Sequence, residues 1–163
     1  MAYFFRGTHG ACCWFWSYAY SQQLPAVSEQ PTTNANGNSY PILAPPANVQ
    51  IVYIEYDPPG PDEDGEYVRF DNLGGSNATL TGWTLRDDAN HVFTFPSFTL
   101  AVGASVRVWT GSGSNNNANL YWGSGAAIWN NAGDTATLRN SGGQVIDVCT
   151  YSGGGGSSGA SCN

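Results

Sequence analysis

The sequence predicts an all-β sandwich, and three observations lead there. Between residues 49 and 151, short runs with strand-like alternation recur at close intervals, divided by Gly, Pro, Asn and Ser turns. No stretch carries a helical period. Lysine is absent, Leu and Glu are scarce, and Gly, Ser, Thr and Asn abound, a mix that favours turns and strands over helices. The length, 163 residues, suits one domain with a real core plus tails.

The elements follow in order. Residues 1–21 form an arm in which "CCWFWSYAYS" places Trp14, Trp16, Tyr18 and Tyr20 on one parity, against Phe15, Ser17, Ala19 and Ser21. That is a strand pattern with one bulky face. Residues 22–48, rich in Pro, Asn and Ser, read as an extended linker that buries no core. The strands occupy residues 49–151. "VQIVYIEY" (49–56) ends at "DPPGPDEDG", which is no strand, and "EYVRFDN" (66–72) follows. Next come "ATLTGWTLRD" (78–87), "HVFTF" (91–95), "FTL" (98–100), "ASVRVWTG" (104–111) and "LYW" (120–122). "DTATLRN" (134–140) and "QVIDVCTY" (144–151) close the domain as a hairpin around "SGG". Residues 152–163 read as a flexible Gly/Ser-rich tail with Cys162 near its tip.

Charge narrows the function classes. Only 10% of residues are charged, all five cations are arginine, and the net charge is −7. A nucleic-acid binder needs clustered Lys and Arg, and docking on an anionic membrane needs a basic patch, so neither partner is expected. No run reaches the roughly 18 apolar residues of a membrane-spanning helix, so membrane insertion is not expected. Four cysteines, with no zinc or haem spacing, suit an oxidising, extracellular setting.

Four blocks together resemble the lamin-tail domain: "GEYVRFDN", "ATLTGWTLRD", "FTFPSFTLAVGASVRVWTG" and "WNNAGDTATLRNSGGQVIDVCTY". The most telling pieces are Gly82-Trp83-Thr84-Leu85, Phe95-Pro96, Val102-Gly103 and Asn131 to Leu138. The resemblance implies an immunoglobulin-like sandwich of two antiparallel sheets, used as a binding or structural module. No heptad rod accompanies it, so the chain resembles the secreted microbial members rather than the nuclear filament proteins.

Local chemistry is sparse. His9 and His91 stand in no triad context, and Asp87-Asp88 reads as a turn, so no enzyme is expected. The loop residues Asp57, Asp62, Asp64 and Glu66 offer oxygen ligands for Ca²⁺, against the plainer reading of a solvated acidic loop. No other cofactor is expected. Asn77-Ala78-Thr79 is a glycosylation sequon at Asn77. Trp109, Tyr121, Trp122 and Trp129 are aromatics suited to stacking on a glycan, or to ordinary core packing.

Three fates compete for the arm: an export signal, a strand added to its own domain, or a strand donated to a neighbour. In the last, Cys12, Cys13, Trp14, Phe15, Trp16, Tyr18 and Tyr20 enter the next subunit's sheet, and head-to-tail repetition builds a homopolymer. Cys12 or Cys13 then bonds Cys149 or Cys162 of the neighbour, while the local alternative is a Cys149–Cys162 bridge. The primary expectation is therefore a structural subunit of an extracellular filament. The alternative is a monomeric secreted module, glycan-binding by its aromatics, whose N-terminal segment is an export signal.

Overall fold

The computed structural model describes residues 32–33, 36–37, 39–40, 43–154, 156 and 158–162. The chain divides into two units, Met1–Ile42 and Leu43–Asn163. In the first, β1 (Thr32–Thr33) pairs antiparallel with β2 (Ser39–Tyr40). Expected to be bare linker, this segment closes around Asn36-Gly37, where Gly37 adopts φ 75°. Glycine takes such a positive φ without the steric cost that a Cβ would bring.

The second unit is the expected all-β sandwich. One sheet has the order β10-β9-β4-β3-β13, the other β12-β11-β6-β7, and a small ladder pairs β5 with β8. The strands of the first sheet are β3 (Val49–Glu55), β4 (Tyr67–Asn72), β9 (Ser105–Trp109), β10 (Asn119–Tyr121) and β13 (Gly159–Ser161). The second holds β6 (Thr84–Arg86), β7 (Val92–Thr94), β11 (Gly133–Arg139) and β12 (Val145–Ser152), and the ladder joins β5 (Ala78–Thr79) to β8 (Thr99–Leu100). All pairs are antiparallel except β10 with β9. A single helical turn, α1 (Asp62–Gly65), sits inside the acidic loop.

Alternation explains the core. Val68 and Phe70 of β4, Val106 and Val108 of β9, Leu85 of β6, and Ala136 and Leu138 of β11 are all buried. Phe70 meets Phe95 edge-on at 5.6 Å between ring centroids, and Phe93 meets Phe95 at 5.1 Å. These inward faces interdigitate as the layers of a sandwich do.

Three elements differ from the sequence expectation. The run 78–87 is not one strand: Gly82, at φ 75°, turns the chain between β5 and β6. Residues 43–48 pack with the sandwich, since Leu73 N–H donates to Asn48 O (2.7 Å) and Ser76 Oγ to Pro45 O (2.7 Å). The Gly/Ser-rich tail comes back as β13, antiparallel to β3, and Cys162 is bridged to Cys149 across a Cα separation of 5.6 Å. A glycine-rich run costs little strain in turning, and the disulfide holds its return.

Asn72 ties the ends of this layout together. It is fully buried, and its Oδ1 accepts from Asn48 N–H (3.2 Å) and Gly74 N–H (3.1 Å). Its Nδ2 donates to Ser76 O (2.9 Å), Leu100 O (3.1 Å) and Ala101 O (3.3 Å). Asn72→Ala would strand several of these backbone groups without partners. It should lower the unfolding free energy by about 2–5 kcal/mol in urea denaturation. Asn72→Asp should do no better, because a carboxylate would face three carbonyl oxygens.

Candidate functional site

The outer face of the five-stranded sheet gathers four half-buried aromatics and two of the chain's arginines. In an antiparallel ladder, residues in register on one face are neighbours. Tyr67 is partnered with Trp109, Arg69 with Arg107, and Asp71 with Ser105. On one side Trp109 is in register with Tyr121, and on the other Arg69 is in register with Tyr53. Four rings therefore run across four strands. Centroid separations are 5.9 Å for Tyr53–Tyr67, 4.8 Å for Tyr67–Trp109 and 6.5 Å for Trp109–Tyr121. The first two pairs are tilted and the last is stacked at 16°.

Beside the row lies an open groove of about 470 Å³, lined by Tyr53, Tyr67, Arg69, Asp71, Arg107 and Ser161. Arg69 makes a two-pronged bond to Asp71, with Nε to Oδ1 at 2.9 Å and Nη2 to Oδ2 at 2.8 Å. The Arg107 guanidinium lies 5.3 Å from the Tyr67 ring centroid, a cation–π contact.

Local devices fix each ring. The indole of Trp109 donates to Asn119 Oδ1 at 2.8 Å. The Asn-rich loop before β10 is self-capped: Asn116 Oδ1 accepts from Ala118 and Asn119 N–H, and Asn115 Oδ1 accepts from Tyr121 N–H, each at 2.9 Å. Gly113 leaves room for the Tyr121 ring, which a Cβ there would strike. Gly159 of β13 does the same for Tyr53. Tyr53 donates its hydroxyl to Glu55 Oε2 at 2.9 Å. Burial, then the bond to Glu55 and its charge, push the phenol up to about 12, so it stays a donor at neutral pH.

Directly behind the row, Glu66 and Thr110 face inward, and Thr110 N–H donates to Glu66 O at 3.0 Å. Glu66 is fully buried, and its Oε2 accepts from Ile128 N–H at 2.9 Å, pinning the loop that carries the buried Trp129. Among the described residues, neither Glu66 Oε1 nor Thr110 Oγ1 has a hydrogen-bond partner. Burial raises the Glu66 carboxyl above its usual 4.5, against the backbone donor of Ile128.

The structure divides the residues singled out from sequence. Trp109 and Tyr121 stand on the outer face, whereas Trp129 is core and Trp122 packs on it, 6.4 Å away ring to ring. Tyr53 and Tyr67, which complete the row, were missed. Tyr67 was readable from its parity with Arg69 and Asp71, opposite Val68 and Phe70. Tyr53 was not, because a bulge between Ile51 and Tyr53 resets the parity of β3.

The acidic loop is not drawn into a cage. Asp57 and Asp62 both accept from Asn131 Nδ2, at 3.1 and 3.2 Å, while Glu66 turns into the core. Among the described residues, no group of three or more His, Cys, Asp and Glu is placed to hold a metal ion. Asn77 is exposed, and its Oδ1 accepts from Val102 N–H at 3.1 Å. Cys149 and Cys162 bond each other, the local alternative of the pairings weighed from sequence. The assembly residues Cys12, Cys13, Trp14, Phe15, Trp16, Tyr18 and Tyr20 lie outside the described residues.

Among the described residues no helix is long and apolar enough to cross a membrane. The family model described as Lamin Tail Domain matches residues 43–153. No curated protein matches the chain.

Glu66 makes stability depend on pH in a defined direction. A folded value above the unfolded one means that the native state holds the extra proton, so its stabilising effect is complete below the ordinary glutamate range. That effect is lost as pH rises through the folded value. Thermal unfolding followed from pH 4 upward should show Glu66→Gln gaining on the parent as pH rises, because the amide still accepts from Ile128 without a buried charge.

Proposed function

The chain belongs to the lamin tail domain family, whose immunoglobulin-like fold serves as a structural or binding module. From that premise we propose that it is an extracellular, non-enzymatic module that binds carbohydrate on the outer face of its five-stranded sheet. The observation that carries this reading is the row Tyr53–Tyr67–Trp109–Tyr121. The solvent face of an antiparallel sheet is ordinarily polar, and four adjacent rings there leave apolar surface in water. Rings held by Asn119, Glu55 and two glycines offer pre-set stacking surfaces for sugar rings, with flanking amide, hydroxyl and guanidinium groups for the sugar hydroxyls. The disulfide Cys149–Cys162 suits an oxidising exterior.

Isothermal titration against a panel of polysaccharides tests this reading. Tyr67→Ala and Trp109→Ala should each weaken binding roughly tenfold, the order of one lost ring contact, with the fold retained in far-UV circular dichroism. Unchanged affinity in both variants would remove the face from the account.

A second reading is favoured by a different edge. Strand β12 ends its sheet, runs for eight residues, and exposes Val145, Ile146 and Val148. Such an edge accepts an added strand, and the arm around residues 14–20 has the alternation to be one. On this reading the chain is a filament subunit, polymerising by donation of that arm to a neighbour. Deleting residues 1–21 should then abolish fibres in negative-stain electron microscopy and leave the melting temperature of the sandwich unchanged. Fibres that persist after the deletion would refute it.

A further inference from the structure

Arg69 and Arg107 are Cα partners on neighbouring strands, on the same outer face. Like charges directly opposite each other destabilise a sheet. This chain has no lysine, five arginines and a net charge of −7, so two arginines side by side are not the overflow of a basic surface. Asp71 satisfies only one of them. Both of its oxygens are taken by Arg69, Oδ1 by Nε and Oδ2 by Nη2. Among the described residues Arg107 has no carboxylate within salt-bridge reach, and its guanidinium is held over Tyr67 instead. The other nearby carboxylate, Glu55, accepts the Tyr53 hydroxyl.

The face thus carries a cation, Arg107, with no carboxylate in salt-bridge reach among the described residues, positioned by an aromatic ring at the rim of a groove of about 470 Å³. A local conflict of this kind is expected at a functional site. We infer that the ligand of this face is an acidic polysaccharide, whose carboxylate or sulfate group sits on Arg107 while its sugar rings lie along Tyr67, Trp109 and Tyr121. A guanidinium donates two parallel N–H bonds to either anion, and the Tyr67 ring keeps it from collapsing onto a distant partner. The inference rests on the carbohydrate-binding reading and adds the charge of the sugar.

The test is titration of the full chain with polygalacturonate, dextran sulfate and neutral dextran, at low and at high salt. One or both polyanions should bind at least about tenfold more tightly than dextran, with affinity falling as salt rises. Preference for polygalacturonate assigns a carboxylate, and preference for dextran sulfate a sulfate. Arg107→Gln should erase the advantage of the polyanion over dextran, and Arg107→Lys should restore part of it. Trp109→Ala should weaken all three ligands that bind. Equal binding of dextran and both polyanions, or an Arg107→Gln variant that keeps the preference, overturns the acidic ligand and leaves the carbohydrate reading standing. If none of these glycans binds while the variants fold normally, the acidic-ligand inference falls. Silence across the wider polysaccharide panel as well would take the carbohydrate reading with it.

Discussion

The amide of Asn72 is the constraint on which the rest of the sandwich depends. It stands at the end of β4, where three separate pieces of chain must meet: the entering segment at Asn48, the turn at Gly74 to Ser76, and the exit of β8 at Leu100 and Ala101. One buried side chain satisfies polar groups from all three. Its backbone is equally committed, donating to Ala104 O at 3.0 Å and accepting from Gly103 N–H at 2.9 Å. Those two bonds start the ladder that continues as Asp71 with Ser105 and ends as Tyr67 with Trp109. A slip of one residue in this ladder would exchange faces, sending Tyr67 and Trp109 inward and Val68 and Val108 into water. The ring row on the outer face is thus a consequence of how β4 is anchored at its far end.

Four of the twelve carboxylates accept from the chain's own backbone, which makes an acidic protein compatible with the anion-binding face proposed above. Asp134 accepts from Asp88, Asn130 and Thr135 N–H, and Asp87 from His91 N–H. Asp147 reaches across to Ile51 N–H, and Glu66 holds Ile128. These carboxylates fasten turns and close the ends of the sandwich. They are structural acceptors, placed where a backbone donor would otherwise be buried without a partner. Net charge therefore says little about the field above the five-stranded sheet, where Arg69 and Arg107 face one Asp and a tyrosine-bound Glu.

What the sequence disclosed follows the same division. Strands whose partners are fixed by alternation, such as β4, β9 and β11, were legible, because burying one face leaves a period-two record in the residues. Events that break the period were not. The bulge in β3 hides the outward direction of Tyr53, and the return of β13 leaves no trace in a glycine-rich run, where little is buried to write a pattern. Gly82 could be read as a turn or as a pause within a strand, and only its positive φ decides. The aromatics were visible as a class, yet inside and outside were not separable for Trp122 and Trp129. They lie in irregular chain after β10, where no alternation assigns a face.

The shape of the row argues for a polymer over a compact ligand. Its rings come from four adjacent strands, so they advance at the strand spacing of about 4.8 Å and rotate with the sheet's twist. The unequal tilts, 35°, 51° and 16°, follow from that rotation and from the separate devices holding each ring. A small molecule would meet one or two of these surfaces in an open groove and lose little water. A chain of sugars crossing the strands would meet them in succession, with one ring contact for each unit or two. Weak contacts repeated along a pre-set track add up, because the protein side is already ordered and little freedom remains to be lost. On the proposed reading the guanidinium of Arg107, held over Tyr67, would register the chain and fix which sugar lies over which ring.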